Sequence, residues 1–129
     1  MENGERKMEN GRNILREKSY AFALRIVKLS KLLTEEKKEY ILSKQILRSG
    51  TSIGANIAEA SQGQSNADFV HKLSISLKEA FETQYWIELP RDGEFLEPNF
   101  AESVLVDCCE LQKILTASIK TAKKNLERC

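Results

Sequence analysis

Residues 48–60 read Arg48-Ser49-Gly50-Thr51-Ser52-Ile53-Gly54-Ala55-Asn56-Ile57-Ala58-Glu59-Ala60. Ile53 and Ile57 continue an apolar pattern that begins with Tyr40, Ile41, Ile46 and Leu47, so the stretch is the second half of a helix. Each glycine inside a soluble helix costs about 1 kcal/mol relative to alanine. Gly50, Gly54 and Ala58 stand at i, i+4 and i+8 and make one smooth face. Such a seam would mark dimerisation in a bilayer, but the polar residues around it exclude a membrane. A phosphate loop needs a preceding strand and a Gly-Lys-Ser/Thr end, and neither is present. The spacing therefore predicts close approach of a second helix.

The other side of this helix is polar. Arg48, Ser52, Asn56 and Glu59 share a face, and a reversal near Gly63 would set a third helix antiparallel to it. In that register Arg48 falls opposite Lys78 and Glu79, one turn from Glu82, and Ser52 falls near Ser74. Two readings are open: interhelical hydrogen bonds that fix register, or a ligand site. The first is favoured, because buried polar pairs commonly specify packing.

Working outward, Phe22, Ile26, Leu29 and Leu33 form the stripe of a first helix from about Ile14. Thr34-Glu35-Glu36 offers a cap and acidic first turn for the second helix. Ser65 and Asp68 resemble a capping box for the third, which runs from Asn66 to about Leu89, where Pro90 and Asp92-Gly93 should end it. Its apolar residues, from Phe69 to Leu89, cover more than one face, which predicts burial against another subunit. Glu97-Pro98 opens a fourth helix that runs to about Leu126 through Val104, Cys108, Leu111, Leu115 and Ile119. No segment alternates as a strand does. The expectation is an all-α, antiparallel up-down-up-down four-helix bundle over residues 13–126. Residues 1–12, which contain Met-Glu-Asn-Gly twice, are expected to be a disordered leader.

At 129 residues the chain suits one domain. Its N-terminus has no apolar run behind it and so is no secretory signal. Three cysteines, Cys108, Cys109 and Cys129, cannot make a disulfide framework. The expected setting is cytoplasmic, with no membrane contact. Net charge is +1, but residues 1–48 carry +5, residues 49–110 carry −8 and residues 111–129 carry +4. In a bundle of this topology Arg12, Arg16 and Lys18 approach Lys120, Lys123, Lys124 and Arg128 at one end. Glu88, Asp92, Glu94 and Glu97 collect at the other, diluted by Lys37 and Lys38. The basic end is the candidate nucleic-acid contact, sequence-independent because helix-end lysines read phosphate. Its rival reading is a solvated surface.

Enzyme chemistry is not suggested. The single histidine, His71, sits beside Val70 on a helix, and Cys108 and Cys109 point about 100° apart, too far to share a metal. The Glu-x-x-His pairs of di-iron bundles do not occur. No catalytic residue, metal site or cofactor is expected.

The stretch 48–60, with Asp68-Phe69, Lys72-Leu73-Ser74-Ile75-Ser76-Leu77-Lys78-Glu79-Ala80, Glu82-Thr83 and Tyr85-Trp86, resembles the four helix bundle protein family, also called the 23S rRNA intervening-sequence protein family and in older usage a ribosomal protein. The resemblance covers about residues 14–124. It implies a homopentameric bundle without enzymatic activity, whose relatives are encoded in insertions within large-subunit rRNA genes or elsewhere. A relative, the accessory protein of diversity-generating retroelements, binds nucleic acid and reverse transcriptase through a basic pentamer. The resemblance thus implies self-association, and RNA, DNA, a reverse transcriptase or another protein as partner. The alternative is a protein-interaction scaffold that binds no nucleic acid.

Overall fold

In the first helix, Leu15, Phe22, Ile26, Leu29 and Leu33 fall on one side and are all buried. The same logic produces buried stripes on the other three: Ile46, Ile53 and Ile57; Phe69, Leu73, Ala80 and Ile87; and Val104, Cys108, Leu111, Leu115 and Ile119. These stripes meet in one core. The computed structural model describes residues 2–62 and 65–127, with side chains from residue 11 onward. Its elements are α1 (Glu2–Glu35), α2 (Leu42–Ala60), α3 (Asn66–Asp92) and α4 (Pro98–Glu127), and the described residues contain no strand.

Each helix packs on its chain neighbours, and α1 closes the bundle against α4. The pairings give the directions. From α2 to α3, Arg48 meets Glu82, the Ile53 carbonyl accepts from Ser76 at 2.8 Å, and Glu59 meets Lys72 at 2.6 Å. One helix ascends in number while the other descends. Ser30 with the Ser43 carbonyl and Ile26 beside Gly50, Arg91 with Glu102 and Gln84 with Gln112, and Arg25 with Asp107 and Lys18 with Glu110 give the same result for the other pairs. The bundle is up-down-up-down.

The glycine seam packs as its spacing predicts. A β-carbon on Gly50 would lie 2.7 Å from Ile26 Cγ1, and one on Gly54 would lie 3.4 Å from Ser19. Ala58, the third member, is exposed. Ser65 caps α3 by accepting from the Asp68 amide at 3.2 Å, and the Glu97 carboxylate caps α4 by accepting from the amides of Asn99 and Phe100.

Three boundaries differ from the sequence reading. Thr34-Glu35 does not open α2 but finishes α1, where Thr34 Oγ1 bonds back to the Ser30 carbonyl. The chain then turns through Lys38, at a φ of 54°, and α2 starts at Leu42, leaving Tyr40 and Ile41 outside it and exposed. Pro90 does not end α3, which continues to Asp92 with the proline buried in its last turn. Proline costs a helix one carbonyl partner there, and its own carbonyl is used twice, by the amides of Phe95 and Leu96. Finally, helical backbone extends back to Glu2 through the segment read as a leader. Extending a packed helix needs no new nucleus, and the Glu, Arg, Lys and Met of this segment are good helix formers.

Candidate nucleic-acid interface

Because α1 and α4 are antiparallel, the start of α1 and the finish of α4 share one end of the bundle. The cations there are not equivalent. Arg12 lays its guanidinium over the Phe69 ring, 4.2 Å from the centroid, and its Nε is buried without a hydrogen-bond partner. It closes the apolar core at this end, a contact that combines packing with cation–π attraction. Lys18 is bonded to Glu110, and that hydrogen bond first, then the attraction of the same carboxylate, raises its pKa. Arg16 stands exposed on the rim of a groove between α1 and α2. Lys120, Lys123 and Lys124 are exposed and form no ion pair with any described residue. Arg128 lies outside the described residues. Of the cations expected at this end, therefore, Arg16 and the three lysines are exposed without an ion pair among the described residues, while Arg12 and Lys18 are engaged within the fold.

At the other end one arginine matches part of the acidic charge. Arg91 bonds Asp92 at 2.9 Å and Glu102 at 2.6 Å. The Arg91 hydrogen bond holds the Asp92 carboxyl below its ordinary range, and the same contact, with Asp92 first, raises the guanidinium. Glu94 and Glu97 lie in the adjoining turn, exposed.

The polar face of α2 divides. Arg48 reaches Glu82 and approaches Glu79 at 3.7 Å, while Glu59 meets Lys72. Ser52 and Asn56 do not cross to α3. Ser52 Oγ donates to the Ser49 carbonyl and Asn56 Nδ2 to the Ser52 carbonyl, both within α2. Ser74 likewise bonds within α3, to the Val70 carbonyl, so the expected proximity of Ser52 and Ser74 yields no bond. The serine that crosses is Ser76, two positions on, whose face is turned fully into the bundle.

Sequence reasoning missed two partners. Trp86 Nε1 donates to Glu82 Oε1 at 3.1 Å, which is the first cause of the lowered Glu82 pKa, ahead of Arg48. The i to i+4 spacing of Glu82 and Trp86 was the available signal. Gln112 on α4 donates to Gln84 at 2.9 Å, beside Cys108, whose thiol donates to the Ala80 carbonyl. Burial pushes that thiol up to about 12, which leaves it protonated and unreactive, while Cys109 faces outward. His71 is exposed on α3. Among the described residues no three His, Cys, Asp or Glu side chains converge as a metal site would require. No helix is long and apolar enough to cross a membrane.

The α1–α2 groove encloses about 610 Å³. Its floor is Ser19, Ala23 and Gly54, and Asn13, Arg16 and Tyr20 stand along its α1 wall.

Comparison with known proteins agrees with this architecture. A crystal structure of a protein of unknown function from the S23 ribosomal protein family of Bacteroides thetaiotaomicron is 54% identical and superposes with a TM-score of 0.84, over 85% of this chain and 98% of that one. None of the curated proteins compared with the chain matches it. The model of the family described as 23S rRNA-intervening sequence protein matches residues 12–117. With most of the chain matched and the fold shared, this protein belongs to the 23S rRNA-intervening sequence protein family.

Proposed function

We propose that the protein is a non-enzymatic, self-associating bundle that holds RNA or DNA through phosphate contacts at the end where α1 begins and α4 finishes. The observation that carries this reading is the set Lys120, Lys123 and Lys124, exposed on the last turns of α4 without an ion pair to any described residue, with Arg16 exposed on α1 toward the same end. Unmatched cations clustered at one end attract phosphate without reading bases. Assembly would repeat the cluster, and the family resemblance favours a pentamer, with a reverse transcriptase or other protein as a further partner. A cytoplasmic site of action belongs to the same proposal. The near-zero net charge favours the second reading, a protein-interaction scaffold.

The test is binding of labelled single-stranded RNA and duplex DNA across a salt series from about 50 to 200 mM. Wild type should bind with a steep salt dependence. Replacing Lys120, Lys123 and Lys124 by glutamine should weaken binding and lower the log–log salt slope, for each copy in contact, by about 2 on single-stranded RNA and about 3 on duplex DNA. No wild-type binding at the lowest salt overturns the reading and leaves the scaffold.

A further inference from the structure

In the square formed by the helices, the α1–α2 face lies directly opposite the α3–α4 face, since α1 and α3 each pack along α2 and α4 and meet across the diagonal through Arg12 on Phe69. Each face carries an exposed apolar cluster. On the first, Tyr20, Leu24 and Val27 of α1 stand beside Leu47 of α2, with exposures of 68%, 48%, 43% and 38%. On the second, Phe81, Tyr85 and Leu89 recur every fourth residue of α3 beside Val106 of α4, with exposures of 54%, 54%, 38% and 62%. Single exposed apolar residues are ordinary, whereas clusters of this kind mark contact surfaces.

The two clusters also share a height along the bundle. Arg48 meets Glu79 and Glu82, and Gly50 packs on Ile26. Those pairings bring Phe81 on α3 level with Leu47 on α2 and Leu24 on α1. Toward the same end follow Tyr85, Glu88 and Leu89 on one face, and Val27, Lys31 and Lys44 on the other. Among the described residues, Lys31 and Lys44 are exposed without an ion pair, and the Glu88 carboxylate meets only Gln84, at 3.5 Å. Opposite charges thus flank the two apolar clusters at matching positions. The α1–α2 face is also recessed, its groove floored by small residues that permit close approach.

We infer that the α3–α4 face of one copy docks on the α1–α2 face of the next, head to tail, with bundle axes parallel. A second copy of this chain is the occupant because it brings the complementary face at the right height and with the right charge. The contact rests on the self-association proposed above and specifies its geometry. Unlike faces on opposite sides form a heterologous interface, which adds copies until a ring closes. Parallel axes also collect the Lys120, Lys123 and Lys124 clusters on one rim.

Tyr85→Asp and Leu24→Asp each place a charge on one face only, and both sites are exposed, so helical circular dichroism should be unchanged. Phe81→Asp and Leu47→Asp serve as second variants should either misfold. In sedimentation equilibrium at micromolar concentration, wild type should be a multimer of the 14.7 kDa chain. Each variant alone should be a monomer. An equimolar mixture of the two should form a heterodimer and nothing larger, since it retains one intact pair of faces. Assembly of either variant at wild-type size overturns the assigned faces while leaving self-association intact, as does a mixture that stays monomeric. A monomeric wild type overturns both, and gives the faces to a different partner.

Discussion

Arg48 of α2 and Trp86 of α3 donate to the same carboxylate oxygen, Oε1 of Glu82. Beside them Glu79 Oε2 is buried with no hydrogen-bond partner, and its nearest cation is Arg48, at 3.7 Å. One guanidinium therefore separates two carboxylates on adjacent turns of α3. The α2–α3 seam is an electrostatic arrangement centred on a side chain that is itself 51% exposed.

Arg48→Ala removes that cation and leaves Glu79 and Glu82 to repel one another. The half-exposed position limits the effect, because solvent screens such pairs, so the expected loss is about 1 kcal/mol. Urea midpoints of the variant and wild type check it. Arg48→Lys should recover only part of the loss, since an ammonium cannot reach two carboxylates as a planar fork does.

The two packed glycines should respond in opposite directions to the same substitution. Gly50→Ala places a methyl group 2.7 Å from Ile26, a fully buried side chain, and overpacking of this kind costs about 1–3 kcal/mol. Gly54→Ala meets Ser19 only at 3.4 Å, so the helical preference for alanine, about 1 kcal/mol, should prevail and stabilise the fold or leave it unchanged. Thermal midpoints of the two variants provide the comparison. Ile26→Val removes only the δ-carbon and keeps both γ-carbons that the new methyl group meets, so it should not rescue the Gly50→Ala loss.

Acid stability should depend on Trp86. The indole hydrogen bond, then Arg48, hold Glu82 below its ordinary value of 4.5. A carboxylate with a lowered folded pKa adds stability that is complete above its unfolded value and is lost as pH falls through the folded one. Wild type should therefore lose stability on the acid side of 4.5, and Trp86→Phe should flatten that part of the profile. Urea midpoints compared at about pH 7, 4.5 and 3 measure the difference; parallel profiles would mean that the indole contact does not favour the ionised carboxylate.

The sequence by itself determined the elements and their order. Apolar spacing is a property of one helix, so the stripes of Phe22 to Leu33 and Val104 to Ile119 were legible without a partner, as were the cap at Ser65 and the opening of α4 at Glu97-Pro98. The register of α2 on α3 was legible too, because a short reversal leaves little freedom, and Arg48 found its carboxylates. What tertiary structure decided was which polar groups cross between helices and which charges stay free. Ser52 and Asn56 turned back to their own backbone while Ser76 crossed, since a few tens of degrees of helix rotation select one serine over another. Pro90 was carried into α3 because its ring fills the core there. Arg12 and Lys18 were drawn into Phe69 and Glu110, leaving Arg16 and the α4 lysines exposed. Composition counts charges, but only packing brings each one to a partner or leaves it to solvent.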